Sequence, residues 1–205
     1  MWPFSKPKKL DHQAEARKVI EELRAEFSDE DLARGMVLND RVSRLQSVKV
    51  EQLNELLGLV DDTADRVLPL YDDFPNASGL EIHGFCASTV AAAVHVSTLP
   101  TDEKPIIIDI FLDLWVDATV RQAPSLDGKI LKGSISRMWR GYLPVIMRAA
   151  ADEEAVKLGF PNPPLVLAQE LDRLVSVERG PVDQIAAGQV LKSAVVDAML
   201  FVRNF

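Results

Sequence analysis

A chain of 205 residues, 47% apolar and 26% charged, is long enough to bury a core without disulfides or metal staples and too apolar to stay unfolded. Its net charge of −8 speaks against generic nucleic-acid binding, which needs a basic surface. The single cysteine, Cys86, excludes a disulfide within the chain and suits a reducing cytoplasm.

Residues 1–10 read as a flexible terminus. Trp2 and Phe4 stand beside Lys6, Lys8 and Lys9, an aromatic–basic stub that at most touches an anionic membrane surface weakly and reversibly. Residues 11–47 read as an N-terminal helical hairpin. Its first helix runs from about Gln13 to Phe27, capped by Asp11, with Ile20, Leu23 and Phe27 on one face. Ser28 followed by Asp29, Glu30 and Asp31 is a second helix start, because acids in a first turn face unpaired backbone N–H groups.

The main domain is expected over residues 48–205. Leu53, Leu56, Leu57, Val60, Ala64 and Val67 recur at three- and four-residue steps, which predicts a helix from Val50 to about Leu68 that Pro69 ends or kinks. The stretch Ile82–Thr101 has no Asp, Glu, Lys or Arg. Its histidines and hydroxyl residues make it a buried core helix rather than a membrane span. Gly84, Ser88 and Ala92 repeat every four residues, with Ala87 and Ala91 beside them. Such small side chains let neighbouring helices approach closely, so this Ala-rich helix is placed at the centre. Within it Cys86 reads as a small buried hydrophobe.

Pro105 opens the next helix, over about 106–121, although Ile106-Ile107-Ile108 alone would suit a strand. Pro124, Ser125, Asp127 and Gly128 read as a loop. A helix over about 134–158 follows, kinked or split by Pro144. Two more helices, about 165–177 and 182–204, are separated by Gly180-Pro181. The last is apolar through Ala194–Val202, which predicts burial in the core or in a subunit interface. The predicted fold is all-α: one irregular or orthogonal bundle of about seven or eight helices.

Charge is distributed unevenly. Net charge is 0 over residues 1–47, −9 over 48–124, +2 over 125–160 and −1 over 161–205. Asp109, Asp113 and Asp117 form one acidic stripe at four-residue steps. The next helix carries Arg137, Arg140 and Arg148 and has no acid from Gly128 to Ala151. The expected arrangement is an interhelical ladder of these three aspartates with these three arginines, whose planar forks suit carboxylates. If the two sets instead stand apart, the aspartates suit a cation or basic partner, and the arginines, with Trp139 and Tyr142, suit phosphate, nucleic acid or an acidic partner.

Asp61-Asp62-Thr63-Ala64-Asp65 reads DDxxD. On a helix it gathers three carboxylates of the kind that hold Mg²⁺ and, through it, a diphosphate. At these five residues it resembles the aspartate-rich motif of all-helical isoprenoid synthases. That resemblance implies metal binding by Asp61, Asp62 and Asp65. Without it, the segment is a solvated helix face. His12, His83 and His95 have no metal-ligand spacing to one another or to Cys86. The function expected is therefore that of a non-catalytic cytoplasmic interaction or regulatory protein without a cofactor. It would associate with a protein partner, or with itself, through the apolar C-terminal helix. The alternatives are a Mg²⁺-dependent enzyme acting on a phosphate or diphosphate, completed by Asp109 or Asp113, and a peripheral membrane protein using the N-terminal stub.

Overall fold

The computed structural model describes residues 28–150, 163–203 and 205. Over these residues the chain is all-helical. The order is α1 (Asp29–Val42), α2 (Val50–Val67), a 3-10 turn (Leu68–Tyr71), α3 (Gly79–Val96), α4 (Lys104–Gln122), α5 (Gly128–Ala150), α6 (Pro163–Leu174) and α7 (Pro181–Arg203). The expected helix over 13–27, the stub from Trp2 to Lys9 and the segment 151–162, with the expected end of α5 and the turn after it, lie outside the described residues.

The chain divides into two compact units, Met1–Arg44 and Leu45–Phe205. In the first unit, α1 starts where the sequence placed it: the Ser28 hydroxyl accepts from the Asp31 amide at 3.1 Å. Exposed pairs Arg34–Glu30 and Arg44–Asp40, each 2.6 Å, run along the chain at four-residue spacing and contribute a few tenths of a kcal/mol each.

The second unit is built around α3. Every residue from Gly84 to Val94 is buried, and α2, α4, α5, α6 and α7 all pack against this helix. Its small residues make that possible. A Cβ on Gly84 would meet Met138 Sδ at 3.4 Å and Ile135 Cδ1 at 3.8 Å, both on α5. The buried hydroxyls of Ser88 and Thr89 donate to the carbonyls of Gly84 and Phe85, one turn back, so neither hydroxyl is stranded inside. Helices α6 and α7 pack tightly. A Cβ on Gly188 would lie 2.6 Å from the Pro164 carbonyl carbon, a position only glycine can fill.

Two boundaries differ from expectation. Helix α5 begins at Gly128, about six residues early, because the Asp127 carboxylate caps it, accepting from the amides of Lys129 (2.8 Å) and Ile130 (3.0 Å). It then continues through Pro144 to Ala150. The proline leaves the Arg140 carbonyl without its helical donor, and Arg140 sits at the surface, where water can serve it. Helix α6 ends early, at Leu174, in a left-handed turn at Ser176 (φ 57°). There the Val177 amide donates to the Asp172 carbonyl at 2.8 Å, the closing bond of a Schellman turn.

That turn brings Arg179 back onto Asp172. The Arg179 guanidinium donates to Asp172 Oδ1 at 2.9 Å and to the Leu70 carbonyl, and it stacks over the rings of Tyr71 (4.4 Å) and Phe74 (4.7 Å). The Tyr71 hydroxyl donates to the same Oδ1 at 2.9 Å. Asp172 is 2% exposed, and its Oδ2 has no hydrogen-bond partner among the described residues, so its charge depends on Arg179. Burial first, and then the Asp172 charge, push the Tyr71 phenol far above the usual tyrosine range. At the other end of the unit, Glu103 ties the segment before α2 to the start of α4. Its carboxylate accepts from the amides of Gln46 (3.0 Å) and Ser47 (3.1 Å) and from the Ser47 hydroxyl.

Two outcomes are expected. Arg179→Met leaves a buried, uncompensated carboxylate and lowers unfolding free energy by about 3–5 kcal/mol, whereas the double variant Asp172→Leu/Arg179→Met recovers most of that loss; urea unfolding measures both. The Ser47 hydroxyl and then the Gln46 amide hold the Glu103 carboxyl below the usual glutamate range. Its contribution is therefore complete above about pH 4.3 and is lost as the pH falls from there through its lower folded value. Glu103→Gln should show a smaller drop in stability over that acid window than the natural chain.

Candidate functional site

The acidic stripe on α4 is met by α5, which runs antiparallel to it. A Cβ on Gly128 would contact Val116 (3.5 Å) and Val120 (3.6 Å), while one turn further along α5, Lys132 reaches Asp109 and Asp113. Lys132 Nζ lies 3.0 Å from Asp109 Oδ1 and also contacts Asp113 Oδ1. Partial burial alone would lower the lysine pKa, but the bonds to Asp113 and then Asp109 outweigh it and hold the ammonium above the usual lysine range. Asp117, one turn beyond, is half-buried. Sequence reasoning missed Lys132 because it put residues 129–133 in a loop. Once Asp127 caps the helix, Lys132 falls on the face turned to α4.

Arg137 and Arg140 stand elsewhere. Both are exposed, and the side chain of Arg148 lies outside the described residues. The Arg140 guanidinium is 5.9 Å from the Trp139 ring, which in turn lies 5.9 Å from the ring of surface residue His95. Lys129, Gly133, Arg137, Arg140, Pro144 and Met147 are all exposed and recur at three- or four-residue steps. They share a sector about 80° wide on α5 and about 27 Å long. Beside this face runs a groove of about 430 Å³ between α5 and α6, lined by Arg137, Met138, Tyr142, Val145, Glu170 and Arg173 among others. Its floor is anchored by Tyr142, whose ring packs edge-on against Phe85 at 5.5 Å. Arg173 is held to Glu170 at 2.8 Å.

In the DDTAD segment, Asp61, Asp62 and Asp65 are exposed on α2, while Thr63 and Ala64 point into the core. Among the described residues no three His, Cys, Asp or Glu side chains are grouped so as to hold a metal ion. Asp109 and Asp113 meet Lys132, and they do not line the cavity that Asp61 borders. That cavity, about 360 Å³, lies between α2, α3 and α4 and has Trp115, His83 and Asp61 in its lining. A second cavity of about 470 Å³ shares Leu80, Trp115 and Leu126 with it. Neither was visible in the sequence, since their walls come from segments up to about seventy residues apart.

The C-terminal helix α7 is the one described helix long and apolar enough to cross a membrane. In this fold it packs on α2, α3, α5 and α6. Ala187, Gly188, Leu191, Ala194, Val195, Ala198 and Val202 are buried, and Arg66 on α2 binds Asp197 (2.6 Å) and Ser193 (2.9 Å). Its exposed apolar residues are confined to the two ends: Val182 and Ile185, then Leu200 and Phe201. Cys86 is buried in α3, and burial pushes its thiol up to about 12. At pH 8 the folded protein should therefore react with Ellman's reagent on the order of a thousandfold more slowly than the chain in guanidinium; a fast native reaction would contradict this burial.

Compared with family models, with curated proteins and with solved structures, the chain matches none.

Proposed function

We propose that this chain is a non-catalytic cytoplasmic interaction protein that docks an acidic helical segment of a partner protein along the exposed face of α5. The observation that carries the reading is the α5 face itself. It bears Lys129, Arg137 and Arg140 with no acid, on a chain of net charge −8. The nearby Lys132 is already neutralised by Asp109 and Asp113, whereas these three cations point outward. Apolar Met147 shares the face, Ile130 (69% exposed) flanks it, and the α5–α6 groove runs alongside. A mixed basic and apolar strip of this length suits an amphipathic helix that sets acids against the cations and an apolar edge in the groove. Opposite charge across such a rim speeds encounter and selects the partner, while the apolar contacts hold it.

A second reading, self-association, is favoured by the exposed Leu200 and Phe201 at the end of α7, where Phe201 packs edge-on against Phe205 at 5.5 Å. It uses a different surface and is separable by experiment.

A designed amphipathic helical peptide with a Glu-rich face and a Leu edge serves as the probe, titrated calorimetrically into the full chain. Arg137→Glu/Arg140→Glu should weaken binding by about tenfold or more, and raising salt from about 0.05 to 0.5 M should weaken it similarly. Binding that ignores both changes, or no binding at all, overturns the acidic-partner reading. A dimer in light scattering that Leu200→Lys dissociates supports the second one.

A further inference from the structure

Beyond the α5 face, we propose that the paired cavities at Trp115 form a binding site for a small organic cation, an amine carried on an aromatic or compact aliphatic body.

Shape is the first argument. At about 360 and 470 Å³, each cavity falls in the range of small-ligand sites, which combine apolar walls with a few placed polar groups. The two share Leu80, Trp115 and Leu126, so an apolar body has a continuous wall drawn from α3, α4 and the loop before α5. Trp115, 5% exposed, lines both cavities, and an indole attracts a cation as well as an aromatic ring.

The second argument is the sign of the charge around them. Asp61 is the charged residue lining the first cavity, and Glu81 and Asp127 are the charged residues lining the second. Among the described residues no Lys or Arg lines either one. The other polar groups at the first cavity are His83, Gln122 and Thr119. The Thr119 hydroxyl donates to the Trp115 carbonyl at 2.8 Å, so toward the cavity it can only accept. Asp127 is spent on capping α5; at the first cavity Asp61 is the carboxylate that meets a ligand's ammonium at the rim, and Glu81 stands at the second. Nearly all of the first cavity's lining lies within residues 48–124, whose net charge is −9. A cleft lined by one sign of charge concentrates ligands of the other.

The matched probes are tryptamine and indole-3-propionate, similar indole bodies with opposite charge, titrated calorimetrically into the full-length chain at about pH 7 and 0.15 M salt. Tryptamine should bind with a Kd below about 1 mM, and the anion about tenfold or more weaker. Asp61→Asn, at an exposed position that leaves the core intact, should cut tryptamine affinity by about fivefold, as expected for an exposed charge pair, without weakening the anion. Ala118→Phe fills the first cavity and should abolish tryptamine binding; its unfolding curve shows whether the fold is kept. No tryptamine binding to the natural chain, equal binding of the anion, or tryptamine affinity unchanged by Asp61→Asn each overturns the proposal.

Discussion

A helix enclosed on all sides dictates the rest of this architecture. Five other helices press on α3, and they can do so because its sequence offers glycine, serine and alanine where their axes come closest. Side chains as small as these bring little apolar area of their own. The stabilisation comes from what they allow to meet over them: Phe85 against Tyr142, Ile135 and Met138 over Gly84, and the buried face of α7. A bulky residue at Gly84 would push α5 outward, and with it the cations that α5 displays.

Charge is handled in two ways. Inside the second unit, acids are met locally. Lys132 answers Asp109 and Asp113, Arg179 answers Asp172, and backbone amides answer Glu103. At the surface, some charges pair, as Arg66 does with Asp197, while Lys129, Arg137 and Arg140 stand together on α5 and Asp61, Asp62 and Asp65 together on α2. Separated patches of opposite sign on one small body are a device for orientation and selectivity more than for raw affinity. They give the α5 face a character that the total charge of the chain conceals.

The elements with the strongest local signals were read correctly. Ser28 caps its helix, Pro69 ends α2 in a 3-10 turn, and Pro105 sits in the first turn of α4. Reading failed where a local signal had two meanings. Asp127-Gly128 is as good a helix cap as it is a loop, and the cap moved the start of α5 far enough to bring Lys132 into play. Pro144 has no effect on the helix assignment, since an exposed turn tolerates a missing donor.

Periodicity, caps and prolines were enough to determine that the chain is all-helical, with a small-residue helix at its centre, because those signals act over a turn or two of backbone. Tertiary structure alone decided which charges meet. Tyr71 and Asp172 are 101 residues apart, and Arg179 reaches a carbonyl 109 residues away. The walls of the Trp115 cavities come likewise from separate helices. No spacing rule spans such distances: a contact between remote residues depends on how helices rotate and slide against one another, and that is settled only when the whole core closes around α3.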